Sequence, residues 1–138
     1  DYEEGTFTPT FYKGTGTSQP NYSWRYGKYT KIGGIVHVSL SMGLTGETDT
    51  YATCFIGGLP VSFNVQTGHF FYVQLNGYSW QSGYGDSGSE TRLFLEFNPS
   101  INSTKVRMHT GGGKAATTDA DIGSGQRFTL AFSYPCFS

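Results

Sequence analysis

The sequence has little charge, few cysteines and no long apolar run, and each shortage excludes a class of protein. Asp, Glu, Lys and Arg make up 14% of its 138 residues, against about 25% in ordinary globular domains. The nine basic residues are scattered singly, whereas a nucleic-acid partner requires clustered Lys and Arg to neutralise phosphates. No apolar run approaches the ~20 residues of a membrane-spanning helix. The composition therefore predicts no nucleic-acid partner and no membrane insertion.

The two cysteines, Cys54 and Cys136, are too few to define a disulfide framework. They could pair with each other, but a domain of this size does not depend on a disulfide bond. Cys54 begins the apolar run Cys54-Phe55-Ile56, where a small buried thiol is the simpler interpretation. The residues alone leave the pairing open.

Tyrosine, phenylalanine and glycine are abundant, and they favour strands and tight turns over helices. The chain has ten Tyr, eleven Phe and 20 Gly; aromatic side chains suit a pleated sheet, and glycine suits the turns. Apolar and polar residues alternate with a period of two in 35–42, 92–97 and 127–134, as in antiparallel strands with one wet face. Weaker strand candidates are 6–12, 25–32, 52–56, 70–75 and 104–109.

Turn signals separate these segments. Gly33 and Gly34 predict a hairpin turn, because glycine adopts a positive φ without strain. The run 57–60 redirects the chain after a strand, since its proline cannot donate into a central ladder. Roughly eight or more short strands with such turns are typical of an antiparallel β-sandwich or jelly roll. We therefore expect a single all-β domain over 1–138, without significant helix.

Short motifs that match catalytic or cofactor sites lack the partners that their chemistry needs. The stretch 85–88 (GDSG) matches the surroundings of a protease nucleophile, but no histidine lies in the sequence context of its base. The stretch 111–114 lacks the first Gly and the final Ser or Thr of a phosphate loop. The carboxylates show no spacing that marks a facing glycosidase pair, and the three histidines are single. We therefore expect no catalytic residue, no metal site and no cofactor.

The strongest candidate binding site is 76–86, which we interpret as one continuous Gly-rich loop. Sugars present weakly apolar faces flanked by hydroxyls, so a good site combines an aromatic platform with planar hydrogen-bonding side chains. The segment supplies both in Asn76, Tyr78, Trp80, Gln81, Tyr84 and Asp86. Packing of Trp80 over a sheet edge, or its burial between subunits, is the competing interpretation and stays open.

Three segments near the start of the chain resemble a bacteriophage protein module. Residues 2–9 (YEEGTFTP) resemble the "EGTWTP" start of a module found at the C-terminal ends of tail fibres and tailspikes. Residues 26–36 (YGKYTKIGGIV) resemble its "GxYxKIGNxV" segment, and 55–60 (FIGGLP) its "I-x-GLP" segment. The closing aromatic strand 128–134 is also similar, whereas 66–121 matches only in strand patterning.

The resemblance implies a β-sandwich or jelly-roll tip that forms the C-terminal piece of a longer fibre or spike, usually as a homotrimer. Such a tip is made in the host cytoplasm and then exposed on the virion. It would bind a bacterial surface polysaccharide or another receptor without catalysis. Two alternatives stay open: a structural module that trimerises or caps a fibre, and an accessory domain of a polysaccharide-degrading tailspike. Low charge and Tyr- and Ser-rich loops favour the receptor-binding tip.

A second aromatic cluster, 21–26, adjoins one of the matched segments and provides a secondary candidate site in Tyr22, Trp24 and Arg25. Because its neighbours belong to the scaffold, packing is favoured over binding there. We therefore expect Trp24→Ala to reduce stability more than binding. Trp80→Ala should instead remove a stacking surface and leave folding intact.

Overall fold

The computed structural model describes nine stretches of the chain, all built from strands, turns and short connections. They are 1–13, 21–45, 54–64, 71–74, 79–81, 93–98, 104–110, 115–116 and 127–137. The strands are β1 (Tyr2–Phe7), β2 (Thr10–Lys13), β3 (Tyr22–Ile32), β4 (Ile35–Leu44), β5 (Cys54–Gly57), β6 (Phe71–Gln74), β7 (Ser79–Gln81), β8 (Leu93–Phe97), β9 (Val106–Thr110), β10 (Ala115–Ala116) and β11 (Arg127–Pro135). These stretches contain no helix, so they contain none that could cross a membrane.

The strands form two antiparallel sheets, which confirms the all-β prediction. The first sheet has the order β1-β3-β4-β11-β7, and the second has the order β2-β5-β9-β8-β6 with β10 beside β9. Every pairing between described strands is antiparallel. The chain passes from the first sheet to the second between β1 and β2, where Thr8 and Pro9 interrupt the strand.

One apolar core lies between the two sheets, which makes the domain a sandwich. The predicted alternation of β4 is confirmed, since its even-numbered residues are buried and its first three odd-numbered residues are exposed. The ring of Phe97 from the second sheet lies 5.5 Å from that of Tyr134 and 6.1 Å from that of Phe132, both in the first sheet. Side chains of both inner faces therefore contact each other, as in sheets that pack face to face.

The predicted hairpin turn is confirmed at Gly33, whose φ of 59° lies in the left-handed region. The turn also ties both ends of the described chain together. The Gly33 N–H donates to the carbonyl of Asp1 (2.8 Å), and the Cys136 N–H donates to the carbonyl of Gly34 (2.8 Å). Cys136 is buried with a free thiol, so it forms no disulfide bond with Cys54.

Candidate functional site

Most of the segment predicted as the main binding site lies outside the described residues. Of its six candidate residues, Asn76, Tyr78, Tyr84 and Asp86 lie outside the described part of the chain. The backbone of Ser79–Gln81 forms β7, which pairs with β11 at one edge of the first sheet. The interpretation of 76–86 as one continuous loop is therefore wrong for these three residues. Without β7, the strand β11 would be at the edge of the sheet with unpaired backbone N–H and C=O groups. Even a strand as short as β7 can satisfy some of these groups by pairing.

The backbone register of β7 aligns position 80 with residues of β11 and β4. Trp80 pairs with Phe128, and Phe128 pairs with Met42, whose side chain is fully buried. Directly paired residues lie on the same face of a sheet. Position 80 therefore lies in the same register row as Met42, and the choice between the packing and the platform role of Trp80 stays a prediction.

Position 81 lies in the neighbouring register row of the same sheet. It pairs with Arg127, which pairs with Gly43, which in turn pairs with Trp24. At ~4.8 Å between neighbouring strands, positions 81 and 24 are about 14 Å apart, within the reach of an oligosaccharide. The fold thus places one position of the main candidate site and one of the secondary site in a single register row across the sheet.

We call this solvent-exposed side of the first sheet the outer face. Its described side chains are those that alternate with the core residues along four strands. They are Tyr2, Glu4, Thr6, Trp24, Tyr26, Lys28, Thr30, Ile32, Ile35, His37, Ser39, Ser41, Thr129, Ala131, Ser133 and Pro135. Only Glu4 and Lys28 among these carry a full charge, so hydroxyl groups and aromatic rings dominate the surface.

Trp24 forms an aromatic platform on the outer face. Its side chain remains 41% exposed, while one part of the indole lies over the backbone of Gly43. A Cβ atom added to Gly43 would come within 2.5 Å of the indole ring, so only glycine leaves room for this contact. The indole N–H donates to Oγ of Ser41 (3.0 Å), which also accepts from the hydroxyl of Thr129 (3.3 Å). The ring is therefore held in place and still available to a ligand.

Tyr22 and Arg25 face away from this platform and pack as a scaffold cluster. The Tyr22 hydroxyl accepts from the Phe11 N–H (2.8 Å) and donates to the Phe11 carbonyl (3.2 Å). It thereby links the first sheet to β2, which lies at the edge of the second sheet. Burial of the hydroxyl raises the pKa of Tyr22. The Arg25 guanidinium lies 4.4 Å from the centre of the Tyr22 ring, a cation–π distance. Strand alternation thus separates Trp24 from Arg25, and a bulge between Tyr22 and Trp24 separates it from Tyr22.

Two shallow grooves run beside Lys28 on the outer face. One has a volume of about 350 Å³ and lies between β1 and β3, with Glu4 and Thr6 along its far wall. The other has a volume of about 270 Å³ and lies between β3 and β4, with His37 and Ser39 along its far wall. Lys28 lines both grooves, so its side chain borders a ligand in either one.

A row of apolar side chains crosses the end of the outer face that is nearest the hairpin turn. Tyr2, Ile32, Ile35 and Pro135 are consecutive partners across β1, β3, β4 and β11. Phe137 lies two residues beyond Pro135, and the four large side chains are between 42% and 67% exposed. We call these five residues the apolar row. Contiguous exposed apolar surface of this kind marks a contact site.

The described carboxylates make local contacts with other side chains. Asp1 pairs with Lys31 at 2.9 Å, and Glu96 accepts from Asn98 at 3.1 Å. Glu3 and Glu4 are consecutive in β1 and therefore point to opposite faces. Across the described stretches, no three His, Cys, Asp or Glu side chains form a group that could hold a metal ion. The absence of a catalytic or metal site in the whole chain stays a prediction.

The sequence interpretation did not identify Tyr26, Lys28, His37 and Ser41 as parts of a common surface. The available signal was the wet face of the 35–42 strand, which repeats His, Ser and Ser at alternate positions.

Comparisons with protein-family profiles, with curated proteins and with solved structures gave no match.

Proposed function

We propose that this chain is a non-catalytic receptor-binding tip domain of a bacteriophage tail fibre or tailspike, and that it binds a bacterial surface glycan. The observation that carries the proposal is the exposed indole of Trp24, held over Gly43 by a hydrogen bond to Ser41. The three tail-fibre-like segments support the assignment to a virion. They form β1 and the β3–β4 hairpin, which lie in the first sheet, and the end of β5, which lies in the second.

The outer face has the chemistry that an oligosaccharide requires. An indole ring stacks on the apolar face of a sugar ring, and hydroxyl groups beside it exchange hydrogen bonds with the sugar hydroxyls. Ser41 and Thr129 stand beside Trp24, and Ser39 and His37 continue the polar surface along β4. The Ser133 hydroxyl lies 2.7 Å from Nδ1 of His37, which orients the imidazole. A flat surface of this kind suits an extended polysaccharide that is bound and then released unchanged.

A binding measurement with matched variants tests the proposal. The purified domain is titrated calorimetrically with oligosaccharides prepared from a panel of bacterial surface polysaccharides. We expect at least one to bind, Trp24→Ala to weaken that binding, and Tyr12→Ala to leave it unchanged. Tyr12 is a matched control because its ring also lies over a glycine, Gly57, but in the second sheet. Binding that is indifferent to Trp24 would refute the site, and release of new reducing ends would refute the non-catalytic assignment.

A second function, as a structural trimerisation or capping module, is favoured by the apolar row. Exposed apolar side chains on one sheet end are suited to contacts between identical subunits around a threefold axis. A stable contact needs about 800 Å² from each partner, with the apolar row at its centre. Light scattering tests this: a trimer that Ile32→Asp dissociates, with no glycan bound by any form, would favour the structural function over receptor binding.

A further inference from the structure

Four polar side chains form a compact group in the groove between β3 and β4. Lys28 pairs directly with Ser39, and Thr30 pairs directly with His37, so the four occupy the corners of one patch. Directly paired residues have Cβ atoms about 4.5–5.5 Å apart, and neighbours along a face are about 7 Å apart. The patch therefore matches the size of a single monosaccharide unit. All four side chains line the groove of about 270 Å³.

The charge in this groove is unbalanced. The side chains that the structure assigns to its lining include no carboxylate, and no described carboxylate forms an ion pair with Lys28. Lys31, three residues along the same strand, differs because its ammonium group lies 2.9 Å from Asp1. The other groove beside Lys28 contains Glu4, whose carboxylate accepts a hydrogen bond from the Tyr2 hydroxyl (2.7 Å). An anion is thus favoured between β3 and β4, and a neutral group between β1 and β3.

We propose that the groove between β3 and β4 binds the carboxylate of an acidic sugar, such as a hexuronic acid, with Lys28 as its counter-ion. The inference rests on the proposed glycan-binding function and specifies its ligand class. Ser39 and Thr30 donate hydroxyl hydrogen bonds to the carboxylate or to adjacent ring hydroxyls. When the Ser133 hydroxyl donates to Nδ1 of His37, Nε2 carries the proton and donates into the groove. A neutral neighbouring sugar then lies beside Glu4, which accepts from its hydroxyls.

The test compares acidic glycans with their neutral derivatives. The probes are purified bacterial capsular polysaccharides that contain uronic acids, each used as native oligosaccharides and after reduction of the carboxyl groups to alcohols. We expect reduction to weaken binding by about tenfold, the loss typical of a charge-assisted contact. Lys28→Gln should weaken binding of the native form equally and leave the reduced form unaffected, because both changes remove the same interaction. Lys31→Gln, which removes an equal charge from the opposite face of β3, should bind both forms like the wild type.

Each other outcome overturns a defined part of the reasoning. Equal affinity for native and reduced glycans, with Lys28→Gln unchanged but Trp24→Ala impaired, overturns the acidic-sugar assignment and leaves the proposed function standing. A third probe is a glycan that carries phosphate groups but no uronic acid. If Lys28→Gln loses binding to this probe and carboxyl reduction has no effect on the uronic-acid glycans, the groove binds phosphate, and the assignment to a sugar carboxylate is overturned. No binding by any glycan overturns both proposals.

Discussion

Trp24→Ala is the sharpest test of the outer face, because the structure sets the size of its effect. A tryptophan side chain presents about 150–250 Å² of surface. A sugar that covers the 41% still exposed would therefore bury about 60–100 Å² of it. At about 25 cal/mol per Å², this area contributes about 1.5–2.5 kcal/mol, within the range of an aromatic hot spot. The dissociation constant should rise about 10- to 70-fold.

The assay must separate binding from folding and from avidity. A monovalent oligosaccharide titration avoids the masking of a weak site by several linked subunits, and thermal unfolding of the same sample reports stability. Truncation of a buried tryptophan to alanine typically lowers the unfolding free energy by about 3–5 kcal/mol. We expect Trp24→Ala to lower it by less, because the ring lies outside the core. Trp80→Ala is the comparison variant, because Trp80 lies in β7 and belongs to the other candidate segment, 76–86. Unchanged binding in Trp24→Ala, with a folded but non-binding Trp80→Ala, would refute this reasoning and return recognition to 76–86.

Three further changes test the scaffold around the site. Tyr134→Phe should lower the unfolding free energy by about 1–2 kcal/mol in chemical denaturation, because it leaves the Val61 carbonyl without its buried donor (2.7 Å). Burial also raises the pKa of Tyr134. Above pH ~10 the unfolded chain therefore loses the Tyr134 hydroxyl proton before the folded chain does, and stability falls as pH rises. In Tyr134→Phe, stability should fall less steeply with pH. Gly43→Ala should displace the indole of Trp24 and weaken glycan binding in calorimetry by less than Trp24→Ala, and equal or greater loss would contradict this order. Ile35→Lys should shift a trimer to monomers in light scattering; a wild-type monomer at micromolar concentration would contradict assembly through the apolar row.

The strands β4 and β11 were predictable because each has one buried and one wet face. In β4 and β11 the apolar residues recur at every second position, and this period is a local property of the sequence. The hairpin turn was predictable for a similar reason, since two consecutive glycines stand between two such strands. β7 could not be recognised, because three residues are too few to show a period. Its pairing depends on β11, almost fifty residues away along the chain.

The surface on which each candidate residue lies depends on register, which a single strand does not reveal. The cluster 21–26 appeared as one aromatic group in the sequence. In the fold, a bulge between Tyr22 and Trp24 and the alternation of β3 place Trp24 on the outer face and Tyr22 against β2. The interpretation of Tyr22 as scaffold agrees with the structure. Trp24 combines both roles, because it packs on Gly43 and exposes the rest of its ring.

Glycine positions explain why aromatic residues can lie on this sheet without disturbing it. Gly43 pairs directly with Trp24, Gly27 with Phe7, and Gly5 with Tyr29, so three strand glycines each face an aromatic partner. A Cβ atom on any of them would come within 2.5–2.9 Å of that partner's ring. A glycine inside a strand weakens it, and a cross-strand aromatic ring restores the lost packing by covering the bare backbone. Two of these pairs, at Phe7 and Tyr29, point inward and extend the core. The third points outward, where the same device holds an indole ring against the sheet and leaves its remaining surface free for a ligand.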